Sequence, residues 1–366
     1  MKLVCTQENL NNGLNIVNHL ASRNANLPIL NNVLISALNG VITLATTNLE
    51  IGVKTQIRGK IEEEGQYTVP AKLLSDYISL LPHDNISLEL EDEALHISCK
   101  NSQTQIRGAS ADDYPLIPEV LEEDLIMINL ESLKELLNQT LFTVSVDESR
   151  PEISGVLFNF SASKLIVGAT DSYRLAEKRV QLKCGAEKKV IIPLKTLQEL
   201  NRILGSVTEK EVNINLNENQ ILFNCDGIKL ISRLIEGNYP DYEQIIPTEH
   251  KTITTVESNN LIKAIKSAAL FCKPGINDIK MTFLPDKNEI VIMSTNSGLG
   301  ENVTTLAGEV EGEEVEIVFN YRYLLDGLNS LQSEKVVIKL NNQGAPGIFI
   351  PENEEDYLYV VMPIRQ

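Results

Sequence analysis

Four histidines are the side chains best suited to proton transfer near neutral pH. His19, His83, His96 and His250 stand apart in the chain, and they form no convergent catalytic constellation. Cys5, Cys99, Cys184, Cys225 and Cys272 are scattered, odd in number and free of any CxxC spacing. They read as buried free thiols of a reducing cytoplasm, with no disulfide framework and no metal site. The chain also lacks a glycine-rich phosphate loop and any carboxylate cluster with metal spacing. No catalytic residue, metal or cofactor is therefore expected, and binding is the chemistry left.

One stretch has the composition of a binding site. Gly168-Ala169-Thr170-Asp171-Ser172-Tyr173-Arg174-Leu175-Ala176 follows Lys164-Leu165-Ile166-Val167, whose alternation reads as a strand. Thr-Asp-Ser is turn chemistry, because these side chains bond their own backbone. An aromatic, a guanidinium and an apolar side chain follow in succession, which suits a small recognition pocket with an apolar floor and polar anchors. A strand ending in an ordinary turn is the other reading of the stretch.

The elements that must position it repeat along the chain. Leu10, Leu133 and Leu261, each near a helix start, recur at intervals of 123 and 128 residues. Thr47-Asn48, Thr170-Asp171 and Thr295-Asn296, where strands run into turns, recur at 123 and 125. Pro70, Pro193 and Asn320, at the entries of second helices, recur at 123 and 127. Agreement among three landmarks means three copies of one unit. In each copy a strand leads into a first helix, near 7–22, 129–144 and 258–272. Alternating strands follow, then a second helix near 71–81, 194–204 and 321–331, then a closing hairpin set. Asp226-Gly227 marks one such hairpin. The proline-bearing joints, Tyr114 to Pro118 and Tyr239 to Pro247, are stiff. The expected architecture is α+β, with domains at 1–124, 125–250 and 251–366.

At 366 residues, 43% hydrophobic and 22% charged, the chain has the composition of a soluble globular protein. No apolar run has the length of a membrane span, and the first residues turn polar too early for a signal peptide. The net charge of −18 argues against a protein that coats nucleic acid with its outer surface. Cations nevertheless gather on helix faces. At about 100° per residue, Lys195 and Arg202 lie about 20° apart, opposite Leu197, Leu200, Ile203 and Leu204. Lys263 and Lys266 share a side against Leu261, Ile265 and Ala268, and Lys72 and Lys134 stand near two other helix starts. Each face also reads as ordinary solvated helix.

These residues together resemble the bacterial DNA polymerase III beta subunits, the replicative sliding clamps. The resemblance is carried by Asn26-Leu27-Pro28-Ile29-Leu30, Thr46-Thr47-Asn48-Leu49-Glu50, Arg150 with Gly155-Val156-Leu157-Phe158, and Ala169 to Ala176. It continues through Gly237-Asn238-Tyr239-Pro240-Asp241-Tyr242 and Tyr359-Val360-Val361-Met362-Pro363-Ile364-Arg365, so it spans the whole chain. It implies three clamp domains, each with two helices packed on antiparallel sheets, and a head-to-tail dimeric ring. Such a ring encircles double-stranded DNA without reading sequence and tethers the polymerase catalytic subunit, the clamp loader and other proteins bearing a clamp-binding motif. A ring holds DNA by topology, so modest inward cations suffice and tight phosphate binding would hinder sliding.

The resemblance also implies sites. The partner-peptide pocket falls on Arg150, Ile153, Thr170, Ser172, Tyr173, Arg174 and Leu175, with Pro240, Ile245, Pro346, Val360 and Met362. Leu175, Val360 and Met362 are its expected floor, and Arg150 and Arg174 its rim. Ser172-Tyr173 stands where many members carry Gly-His. DNA contacts fall on Arg23, Asn24, Lys72, Lys134, Lys195, Arg202, Lys263 and Lys266; Pro151-Glu152 replaces an aromatic pair often found there. At the dimer seam Tyr77 and Leu81 of one chain meet Leu270 and Phe271 of the other, leaving an apolar patch when unpaired. A free-standing peptide-binding scaffold without DNA is the rival reading.

Overall fold

The computed structural model describes the chain except residues 22–26, 119–125, 148, 183, 185–186 and 366. Six α-helices occur among the described residues: α1 Gln7–Val17, α2 Ala71–Ser79, α3 Leu130–Thr140, α4 Leu194–Leu204, α5 Ser258–Ala269 and α6 Tyr321–Ser330. All six fall where the repeat puts helices, and the first ones are shorter than their apolar periodicity. The chain leaves α1 and α3 through 3-10 turns at Asn18–Leu20 and Leu141–Thr143. Local chemistry sets several starts. Thr6 caps α1 by accepting from Asn9 N at 3.2 Å, and the Asn320 side chain caps α6 by accepting from Arg322 N. Pro70 stands at the cap of α2, where its missing N–H costs nothing.

The chain forms two compact units, cut at 130/131, 197/198 and 234/235. The first unit, Met1–Leu130 with Gln198–Leu234, holds two antiparallel sheets. One runs Gly59–Glu63, Lys2–Thr6, Asn85–Glu91, Ala94–Cys99, Ser102–Arg107. The other has eight strands: Ile126–Asn129, Glu211–Leu216, Gln220–Cys225, Ile228–Arg233, Ile51–Ile57, Val41–Thr47, Asn32–Leu38, Gly65–Pro70. Residues from the central repeat thus extend a sheet of the first repeat, with Leu230 opposite Val53. Helix α1 lies close on this sheet. A Cβ at Gly13 would stand 2.5 Å from Ile57 Cγ2, so only glycine lets the helix approach so far.

The second unit, Glu131–Leu197 with Ile235–Gln366, is built the same way. Its nine-stranded sheet runs Lys188–Pro193, Gly155–Phe160, Lys164–Thr170, Arg174–Gln181, Tyr357–Val361, Gly347–Pro351, Lys335–Leu340, Thr252–Glu257, Glu309–Gly312. A four-stranded sheet runs Gly300–Ala307, Glu289–Asn296, Asp278–Leu284, Val315–Asn320. Helices α5 and α6 bury Leu261, Ala264, Ile265, Ala268, Leu324 and Leu328 in a core with Phe283, Phe319 and Phe349. Val361 and Ala176 point into that core. Their strand neighbours Val360 and Leu175 point the opposite way, into a separate cluster.

Candidate functional site

The turn at the end of strand Lys164–Thr170 is built by its own side chains. Thr170 Oγ1 accepts from Ser172 N and donates to Arg174 O, and Asp171 Oδ1 accepts from Tyr173 N and Arg174 N. The first repeat makes the same turn: Thr47 Oγ1 accepts from Leu49 N and donates to Ile51 O, while Asn48 Oδ1 accepts from Glu50 N and Ile51 N. Ser172 and Leu49 both sit in the left-handed region, at φ 76° and 79°. The recurring Thr-Asx pair is therefore turn chemistry. What marks the central copy is the apolar cluster that its turn leads into.

That cluster is buried, on the face of the nine-stranded sheet opposite Ala176 and Val361. Leu157, Leu175, Tyr242, Ile348 and Val360 form it, with Tyr239, Ile246, Ile350 and Leu358 packed against them. Strand register places Leu175 opposite Val360, and Val360 opposite Ile348. Gly168 has no side chain because Tyr242 fills its space; a Cβ there would stand 2.8 Å from the ring. Tyr239 OH accepts from Thr170 N at 3.1 Å, and Tyr242 OH donates to Glu177 Oε2 at 2.7 Å. Burial raises the pKa of both phenols well above the usual range, and Glu177 raises that of Tyr242 further, so both remain protonated anchors.

The other residues expected at the pocket divide. Met362 is half-buried and its N–H donates to Tyr173 O at 2.9 Å, which brings the chain's end beside the turn. Arg150 is exposed and donates from Nη1 to Ser172 Oγ at 2.9 Å, a rim position. Ile153 and Thr170 are buried, Pro346 is half-buried, and Pro240, Ile245 and Tyr173 are exposed. Arg174 is not at the rim. Strand alternation turns it to the face opposite Leu175, where its guanidinium donates to Asp171, Asp326 and Phe142 O and lies 4.7 Å from the Tyr323 ring centroid. Its side chain is 12% exposed, and these contacts tie the turn to α6.

The cations part in a similar way. Lys263 and Lys266 project from α5 into solvent, and Lys72 and Lys195 are exposed at the starts of α2 and α4. Lys134 pairs with Glu131 at 3.1 Å. Arg202 is engaged: it chelates the buried Glu199 and donates to Asn15 O and Ile16 O, closing the last turn of α1. A free helix-face cation was expected there, and periodicity could not reveal acceptors 186 residues away in sequence. Arg23 and Asn24 lie outside the described residues.

Comparison with known proteins is consistent along the chain. Residues 1–118 match the N-terminal domain of the DNA polymerase III beta subunit, residues 127–241 its central domain and residues 243–365 its C-terminal domain. The chain belongs to the DNA polymerase III beta subunit family. The beta sliding clamp of Synechococcus elongatus is 32% identical over 372 residues, covering 100% of this chain and 99% of that one. The crystal structure of the Bacillus subtilis sliding clamp superposes with a TM-score of 0.96 at 29% identity, covering 100% of this chain and 99% of that chain. The Pseudomonas aeruginosa beta subunit superposes with a TM-score of 0.95 at 27% identity, with full coverage of both chains.

For a clamp subunit, the residues expected at the seam need one correction. Leu270 is 73% exposed, and Phe271 and Tyr77 are half-buried. Leu81 is 8% exposed and belongs to the core of its own chain. After α2 ends at Ser79, the turn sends Leu81 inward and Leu80 outward; Leu80 is 83% and Leu73 53% exposed. Leu157, Tyr239, Tyr242 and Ile348, which the sequence did not single out as site candidates, pack with Leu175 and Val360 in the same cluster. The alternation of Leu157 against Val156 and Phe158 and the small Gly168 were the available signals.

Proposed function

We infer that this chain works as a DNA sliding clamp: two copies join head to tail in a ring that encircles duplex DNA and tethers the replicative polymerase and other partners. It is a processivity factor, not a catalyst. The observation that carries this reading is the unbroken succession of three beta subunit domain matches along one chain. We take the domains as 1–124, 125–250 and 251–366. The partner pocket is assigned to Leu175, Val360 and Met362 with Tyr239, Tyr242 and Arg150. The inward cations are assigned to Lys72, Lys195, Lys263 and Lys266. Leu73, Tyr77, Leu80, Leu270 and Phe271 are assigned to the seam. No helix among the described residues is long and apolar enough to cross a membrane, and we place the protein in the cytoplasm with the replication machinery.

The test is topological. Loaded on nicked circular DNA by a clamp loader, the protein should stay bound through gel filtration and be lost once the circle is cut. Equal retention on circular and linear DNA would refute encirclement.

A further inference from the structure

The sheet face that carries Leu175 and Val360 continues beyond them. Leu175, Val360, Ile348 and Lys339 lie in one row across the strands. The next row, two residues along, is Glu177, Leu358, Ile350 and Val337, with Glu177 opposite Leu358 and Ile350 opposite Val337. Residues two apart on a strand share a face at about 7 Å separation. Over this second row, bounded by the 246–250 segment, lies a cavity of about 310 Å³. Ile246, Ile348, Ile350 and Leu358 line it and pack with the same cluster as Leu175 and Val360.

The charges around the cavity are unevenly satisfied. Glu177 holds Arg179 and Tyr242, while Glu354 and Asp356 face Lys178 at 3.8 and 3.1 Å. Glu355 is exposed and makes no ion pair with a described residue. Burial, followed by Lys339, lowers the His250 pKa, so His250 adds no charge near neutrality, while Lys339 and Arg179 are the cations that line the cavity. Against those two cations stand Glu177, Glu354, Glu355 and Asp356, so the lining keeps an acidic excess that an adjoining cation would complement.

We propose that peptides seated in the Leu175–Val360 pocket run on into this cavity, placing an apolar side chain over Ile350 and Leu358 and a Lys or Arg beside Glu355. This rests on the pocket reading above. One row of about 7 Å is two residues of extended chain, so a continuous peptide reaches both places without a loop. The cavity admits one or two side chains and no folded domain.

The test uses the full chain and fluorescence anisotropy with three peptides: Gln-Leu-Ser-Leu-Phe, the same peptide followed by Ser-Ile-Lys, and the same preceded by Lys-Ile-Ser. One extended peptide should bind about fivefold tighter than the core or better. Glu355→Lys should abolish the charge-dependent part of that gain, and a peptide with Glu in place of Lys should restore it. Ile350→Ala, with thermal unfolding checked, should remove the apolar part. Extended peptides that bind like the core peptide, or a gain indifferent to Glu355→Lys, would overturn the proposal and leave the pocket reading standing. Failure of the core peptide to bind would overturn both. A changed oligomeric state in Glu355→Lys or Ile350→Ala would assign the cavity to a second copy of this chain and also overturn it.

Discussion

Replacing Arg202 separates a structural cation from a DNA-facing one. In Arg202→Ala, Glu199, whose side chain is 2% exposed, loses guanidinium contacts at 3.1 and 2.6 Å. Asn15 O and Ile16 O, at the end of α1, lose their donors. Breaking a buried ion pair typically costs about 3–5 kcal/mol. Arg202 is itself 34% exposed, so solvent screens part of the interaction, and His19 Nδ1 remains 2.6 Å from Glu199 Oε2. The expected destabilisation is therefore about 2–3 kcal/mol. For a unit of this size that lowers the first thermal transition by roughly 5–10 °C. Differential scanning fluorimetry of Arg202→Ala, Glu199→Gln and the pair tests this, and the double change should cost less than the two single changes summed. An unchanged melting profile combined with faster loss from circular DNA would refute the argument and return Arg202 to the DNA-contacting set.

The other predictions concern the pocket, the seam and the thiols. Met362→Ala should weaken binding of a Gln-Leu-x-Leu-Phe-type peptide by about 2 kcal/mol, roughly thirtyfold, without altering encirclement of DNA; equal affinity by anisotropy would place the partner site elsewhere. Leu175→Ala is the poorer probe, because Leu175 is fully buried and its truncation also costs fold stability. Leu80→Asp with Leu270→Asp should convert the dimer to monomer in sedimentation analysis, whereas Leu81→Asp should unfold the chain. Burial pushes the Cys5 and Cys225 thiols up to about 12, so they should react with Ellman's reagent at pH 8 only after unfolding. The folded chain holds those protons where the unfolded chain releases them. Stability should therefore decline as pH rises from about 9 toward 12, which thermal melts across that range would show.

The three-fold repeat, the six helix positions and the α+β class were legible in the sequence, because periodicity, proline entries and Thr-Asx turns act within a few residues of one another. Thr170-Asp171 and Thr47-Asn48 fold their turns from local hydrogen bonds alone, so both could be recognised without knowing what surrounds them. Leu175 and Val360 were nameable only through the resemblance, because alternation alone also fits a last core strand. The tertiary structure decided what alternation and helical spacing cannot. Arg174 had to be followed across the sheet to Asp326, and Arg202 to the carbonyls of α1, before their charges could be assigned to anchoring. Whether Leu80 or Leu81 faces solvent turned on where α2 ends, a matter of one residue. Tyr242 filling the space above Gly168 depends on a chain segment more than seventy residues away, and only the folded sheet brings the two together. Local hydrogen bonding and periodicity are written in neighbouring residues. The partners of a long side chain are set by strands that meet only after folding.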